Sequence, residues 1–151
     1  MLRKMAESHE GVVPNGTEED QDSELKESLD QLSSSRRELL KQVSDFLGDE
    51  TATTGILNDL PLITVQMEDL VAVCEKLKPE PNLDFKMLLC MSCVDYLEYF
   101  QMVYFVHSLQ HEQTLVVKVN TSYENPSVPS VTGIWKAANW YEREAHDLFG
   151  V

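Results

Sequence analysis

The chain has 151 residues and carries twenty-six Asp and Glu against twelve Lys and Arg, for a formal charge of −14. That balance argues against nucleic acid and against an anionic membrane surface, both of which need a basic footprint, and it favours a basic protein partner. The length suits one domain with a single core, and no run approaches the roughly 18 to 20 apolar residues that span a bilayer, so any membrane association is expected to be indirect.

Residues 1–22 are acidic, poor in apolar side chains and broken by Gly and Pro, which predicts a disordered tail. They also lack the apolar core of a signal peptide and the Arg-rich character of a mitochondrial presequence, which predicts a protein of a bacterial or archaeal cytoplasm. From Ser23, a candidate N-cap, Leu25, Leu29, Leu32, Arg36, Leu39, Val43 and Phe46 recur four and three residues apart up to Gly48. The spacing predicts a helix interrupted by the weak Ser33-Ser34-Ser35 stretch. Residues 23–38 are expected to form a partly ordered extension, free or paired with a partner helix, and the half from Arg36 to Leu47 to dock on a core.

A polar loop is expected next, then a short strand over Leu62 to Val65 and a helix over Met67 to Lys78 that buries Leu70, Val71, Cys74 and Leu77. Pro79 and Pro81 end it. Strands are predicted over Asp84 to Cys90, Tyr99 to Leu109 and Thr114 to Asn120, the second so rich in Tyr, Phe and Val on both faces that it belongs in the sheet interior. Gln110 to Gln113 supplies the hairpin turn between the last two. The order helix, strand, helix, three strands, helix defines an α+β two-layer domain over 39–151, with a mixed or antiparallel sheet of about four strands packed by helices.

Three cysteines give no even-numbered disulfide framework and fit a reducing compartment. Cys90 and Cys93 make a CxxC, a spacing used by zinc, clusters and redox pairs. In a strand, however, residues three apart face opposite ways. Buried structural cysteines are the expectation. His107 and His111 lie at a strand end and in its turn without an acid or cysteine partner at motif spacing, and are read as polar boundary residues. No P-loop, dinucleotide fingerprint, nucleophile elbow or internal repeat is present.

The densest chemistry sits at the end. Ile134 to Gly150, IWKAANWYEREAHDLFG, predicts a helix with Trp135, Ala138, Tyr141 or Glu142, Ala145 and Leu148 or Phe149 on its buried stripe. The other face carries Lys136, Asn139, Trp140, Arg143 and Asp147. Arg143 with Asp147, and Glu142 with His146, stand four apart and can pair for about 0.2 to 0.5 kcal/mol each. Three readings follow. The face is merely solvated, or Glu142, His146 and Asp147 ligate a metal or do acid/base work, or Trp140, Arg143 and Phe149 belong to a buried protein contact, where such residue types are enriched.

These residues also carry a family resemblance. Ser130-Val131, Ala137-Ala138-Asn139-Trp140, Glu142-Arg143-Glu144 and Asp147-Leu148-Phe149-Gly150-Val151 resemble the signature of the C-type, 30-kilodalton subunit of respiratory complex I, the proton-pumping NADH:quinone oxidoreductase. Upstream, Val94-Asp95-Tyr96, the strand end Tyr104 to Ser108 and Leu115 to Val119 follow in the family's order. The resemblance runs from Leu39 to Val151. Most relatives continue past Gly150-Val151 with an aromatic residue, a His-Pro pair and a basic segment, where this chain stops.

The resemblance implies a non-catalytic structural subunit that binds no cofactor or metal. NADH, flavin, iron–sulfur clusters and quinone are then expected elsewhere in a complex held peripherally at the cytoplasmic side of a bacterial or archaeal cell membrane. The implied partners are the large quinone-site subunit, of the 49-kilodalton type, and other peripheral-arm subunits, with Trp140, Glu142, Arg143, Glu144, Asp147 and Phe149 at the interface or supporting it. Two alternatives accompany this reading: the equivalent subunit of a membrane-bound hydrogenase, and a stand-alone metal-binding redox or hydrolase domain using Cys90, Cys93, His146 and Asp147.

Overall fold

The structure, a computed structural model, describes residues 32–48 and 50–151. The expected acidic tail and the helix start at Ser23 lie outside the described residues. Helix α1 (Ser34–Leu47) begins inside the serine stretch that reads as weak in sequence: Ser33 is its N-cap, its hydroxyl accepting from Arg36 N at 3.5 Å. A serine is poor within a helix but good at its start, because its side chain satisfies an otherwise unpaired N–H. Leu39, Leu40, Val43 and Leu47 form the buried stripe, while Phe46, expected on it, is 41% exposed. The stripe follows the broader apolar face of a globular helix rather than a strict heptad seam.

Strands β1 (Ala52–Leu57) and β2 (Leu60–Val65) form a hairpin where the sequence suggested a polar loop and a single strand. Its two-residue turn, Asn58 and Asp59, has φ of 45° and 66°, the conformation that matches the twist of paired strands and that Asn and Asp tolerate. Arg36 Nη1 donates to Asp59 O at 2.9 Å and ties α1 to this turn. Gly55 lies opposite Leu62, and a Cβ added there would stand 3.2 Å from Leu62 Cδ2. The glycine that breaks the strand pattern in sequence makes room for its cross-strand neighbour.

A short 3-10 turn (Met67–Asp69) leads into α2 (Leu70–Leu77), whose buried residues are Leu70, Val73, Cys74 and Leu77. Val73 takes the place predicted for Val71, which is only half-buried. Then follow β3 (Met87–Asp95), β4 (Tyr99–Ser108) and β5 (Gln113–Ser122), and after a long loop α3 (Ala138–Phe149). The five strands run in the order β1-β2-β5-β4-β3, antiparallel except for the parallel β2–β5 pair, so the sheet is mixed and has one strand more than expected.

Residues from all three helices, among them Val43, Cys74 and Ala145, share one core with the inward row of the strands, including Ile63, Val65, Met91, Tyr104, Val106 and Val117. On the opposite face a smaller cluster of Leu62, Val103 and Val116, with Leu57, Leu60 and Phe105 against it, is built from strand residues alone. The domain is therefore α+β, with helices layered on one sheet face.

Strand β3 starts three residues later than predicted and continues through Cys93, with a register shift between Leu88 and Cys90. Cys90 pairs with Phe105 and is exposed, correcting its expected burial, whereas Cys93 pairs with Met102, is half-buried and packs against the helix-side core. The two thiols occupy opposite faces, as the strand period requires. Cys74 is buried. Ser108 and Gln113 close the β4–β5 pairing, so the turn covers 109–112. His107 Nδ1 meets Thr114 Oγ1 at 3.0 Å, and His111 Nε2 donates to Pro81 O at 2.9 Å, tethering the hairpin to the loop after α2.

Candidate functional site

The approach to α3 explains why the helix begins four residues later than its composition suggests. Val131, Ile134 and Trp135 are buried, and the backbone turns tightly, with Ile134 N and Trp135 N both donating to Val131 O at 2.9 Å. The Trp135 indole N–H donates to Phe85 O at 3.1 Å, and the Lys78 ammonium donates to the Ile134 carbonyl. A buried indole needs a partner for its N–H. Meeting that need at the loop that leads into β3 bends the chain before Ala138, and tertiary packing overrides local helix propensity.

From Ala138 the inward face is fully engaged. Ala138 and Ala145 are buried small side chains that let the helix approach the sheet closely. Tyr141 Oη donates to Leu89 O, on edge strand β3, at 3.0 Å. Phe149 sets its ring edge against Phe100, 5.9 Å between centroids at 62°, and Phe100 stacks on Tyr123 at 4.7 Å. Gly150, at φ 77°, ends the helix with its N–H on His146 O at 2.9 Å, a left-handed stop that glycine adopts without strain.

Glu142 is the hinge of this arrangement. Its carboxylate accepts from Val131 N at 2.8 Å, Ser130 Oγ at 2.7 Å and Thr132 Oγ1 at 3.0 Å, fastening the incoming loop to the second turn of α3. Hydrogen bonds to an ionised acceptor are short and strong. Glu142 therefore does not pair with His146, as its spacing allowed, and it serves the domain's own architecture. A cavity of about 90 Å³ beside it is lined by Met91, Met102, Tyr104, Val128, Pro129, Ala145 and Val151. Burial, before the charges of Cys74, Glu142 and Cys93, holds the Tyr104 phenol above its usual range, and burial pushes the Cys74 thiol up to about 12.

The outward face is the reverse. Trp140 is 71% exposed and Leu148 68% exposed, with Asn139, Arg143, Glu144, His146 and Asp147 also exposed. Arg143 stands with its guanidinium carbon 5.7 Å from the Trp140 ring centroid rather than in an ion pair with Asp147. Trp140, Tyr141, Arg143, Glu144, Asp147 and Leu148 line an open groove of about 440 Å³. Of the six residues singled out from sequence, Trp140, Arg143, Glu144 and Asp147 share this face, while Glu142 and Phe149 anchor the helix beneath it. Sequence reasoning did not foresee the Trp135 indole bond or the Ser130 and Thr132 contacts. A carboxylate on an apolar stripe, with a serine and a threonine in the loop just before the helix, was the signal from which the latter could have been read. Among the described residues no three His, Cys, Asp or Glu side chains converge at metal-ligating distance.

The α+β domain closed by this terminal helix is of a kind found in respiratory membrane complexes. Residues 63–151 match the family described as "Respiratory-chain NADH dehydrogenase, 30 Kd subunit", and the chain belongs to it. Among its relatives, the second C-type subunit of NADH-quinone oxidoreductase from Rhizobium etli is 33% identical over 112 residues, covering 72% of this chain and 59% of that protein. The C-type subunit of the same enzyme from Acidithiobacillus ferrooxidans is 34% identical over 122 residues, 75% of this chain and 60% of that one. The chain thus spans about 60% of the length of these relatives. Two solved structures share the fold at 24% identity. A trypsin-resistant fragment (1-134) of Nqo5 has a TM-score of 0.61, over 78% of this chain and 93% of that one. A chain from the membrane-bound sulfane sulfur reductase, an archaeal respiratory membrane complex, gives 0.65, over 76% and 67%.

Proposed function

We propose that this chain is a non-catalytic structural subunit in the peripheral arm of a membrane-attached quinone oxidoreductase of the complex I type. In this reading the outer face of α3 docks on the large, 49-kilodalton-type quinone-site subunit. It braces that subunit so that electrons reach quinone in a fixed geometry, in a complex coupling the transfer to proton translocation. NADH, flavin, iron–sulfur clusters and quinone belong to other subunits. The chain is held peripherally on the cytoplasmic side of a bacterial or archaeal membrane through those neighbours, and no described helix is long and apolar enough to cross a membrane.

One observation carries the reading. A helix whose inner face is locked by Glu142, Tyr141 and Phe149 leaves a tryptophan 71% exposed beside an arginine on its outer face. Trp and Arg are the side chains that dominate binding energy when a contact closes over them, and a rigid support lowers the entropy lost on docking. The electron donor is a separate matter. The fold recurs in a chain of the sulfane sulfur reductase complex, so NADH or another donor, as in a hydrogenase-type complex, suits the same subunit. The stand-alone metal reading draws less support, since Cys90 and Cys93 face opposite ways.

Co-purification tests the proposal. The tagged wild-type chain is expected to recover the large oxidoreductase subunit in stoichiometric amount, and Trp140→Ala and Arg143→Ala to reduce that recovery while unfolding within about 2 °C of the wild type. If wild type recovers no such subunit, or both variants recover it fully, the docking role fails.

A further inference from the structure

The tip of the β3–β4 hairpin presents an apolar side chain that neither packing nor the α3 groove explains. Leu97 is 80% exposed, more than Trp140 or Leu148. It also sits at φ 69°, in the left-handed region that a leucine enters at a cost and that Gly, Asn or Asp would enter more easily. The turn is nevertheless rigidly built. Leu97 N donates to Asp95 Oδ1 at 2.7 Å, Tyr96 N donates to Tyr99 O at 3.0 Å, and the Tyr96 and Tyr99 rings stack at 4.9 Å. A bulky apolar residue at an unfavourable φ, braced on both sides and turned to solvent, matches a preorganised anchor of a protein contact.

Its surroundings select the partner. Asp95 and Glu98 flank Leu97 and are exposed, and the pairing of Tyr99 with Ser122 and Phe100 with Thr121 brings exposed Tyr123 and Glu124 to the same end of the sheet. Between Met87 and Trp135 the single Lys or Arg is Lys118, in the body of β5. The tip is an apolar knob with an acidic rim. Phe100 touches both Tyr123 and Phe149, so this surface continues into the C-terminal end of α3 and its exposed Leu148.

We infer that the Asp95–Tyr99 tip is a second docking element, with Leu97 entering an apolar socket rimmed by Lys or Arg on a neighbouring protein subunit. This rests on the reading of the chain as an assembly subunit. The full chain is assembled with the complex, purified through a tag on the large subunit, and its retention followed on dilution. Leu97→Asn, which keeps the left-handed turn and removes the apolar group, should leave the unfolding temperature of the free chain equal or higher while weakening retention about tenfold. Glu98→Lys should weaken it in low salt and less so in high salt. A photoreactive residue at position 97 should cross-link to a partner peptide containing Lys or Arg. If Leu97→Asn is retained like wild type while Trp140→Ala is lost, the tip inference is overturned and the docking of α3 stands. Cross-links only to a second copy of this chain overturn it as well. If the wild-type chain never associates with the large subunit, both readings fall together.

Discussion

Glu142→Ala separates the two faces of α3 in one measurement. The substitution removes the acceptor for Val131 N, Ser130 Oγ and Thr132 Oγ1. Ser130 is exposed, so its hydroxyl regains water, but Val131 is fully buried and its N–H loses its partner near the core. A hydrogen bond to a charged group contributes about 1.5 to 3 kcal/mol, and an orphaned buried donor costs about 1 to 3 kcal/mol. Because Glu142 is itself half-buried and partly screened by solvent, the lower end applies, about 2 kcal/mol in total. For a domain of this size that lowers the unfolding temperature by roughly 8 °C. Trp140→Ala, on the same helix and far larger in volume removed, should cost no more than about 0.5 kcal/mol, the cation–π contact with Arg143 included. Thermal unfolding of the full chain by circular dichroism gives both numbers. Equal shifts for the two variants, or a shift under about 2 °C for Glu142→Ala, would refute the division of the helix into a locking face and a free face.

Other outcomes follow from the buried groups. Trp135→Phe keeps an aromatic ring but removes the pyrrole half of the buried indole and leaves Phe85 O without its donor, and should cost at least about 1 to 2 kcal/mol by urea unfolding. Of the three thiols, the exposed Cys90 should be the first to react with an aromatic disulfide reagent in the native chain, although partial burial raises its pKa and slows it, and Cys74 should react only on unfolding. The Cys74 thiol, at about 12 in the fold against 9.0 as reference, favours the native state below pH 9. Above that the unfolded chain ionises first and binds fewer protons, so stability should fall by up to about 1.4 kcal/mol per pH unit. Cys74→Ala should flatten that decline in the first unit above pH 9, and an unchanged slope would show that another group governs it.

Much of this architecture was legible because it rests on periodicity. The β4 and β5 runs, the buried stripe of α2 and the inward row of α3 all announce themselves in the spacing of their apolar residues. What escaped depended on partners far along the chain. Strand β1 looks like a loop until Leu62 is set opposite Gly55 and Arg36 grips the Asp59 carbonyl. The late start of α3 follows from an indole that must find Phe85 O, fifty residues away. Cys90 was expected inside because its neighbours are apolar, but the register shift at Leu88 turned it outward. In the candidate site, the charge pairs suggested by i,i+4 spacing gave way to stronger claims: a loop N–H for Glu142 and an aromatic face for Arg143. Exposed helix pairs contribute too little to compete with either.

The two faces of α3 also constrain how docking defects must be read. The Glu142-Arg143-Glu144 triplet is continuous in sequence, yet its first residue points into the domain and its second lies over Trp140 at the surface. Loss of Glu142 would loosen the loop from Ser130 to Thr132 and with it the seat of the helix, so a fall in partner binding would not by itself place Glu142 in the contact. Loss of Arg143 would leave the seat intact, so any change in partner binding would have to come from the outer face itself. A binding deficit is therefore evidence for direct contact only when the free variant unfolds at the wild-type temperature. By that criterion the exposed Trp140, Arg143, Glu144 and Asp147 are the positions at which the proposed docking can be tested directly, whereas substitutions of Glu142 and Phe149 change the seat of the helix first.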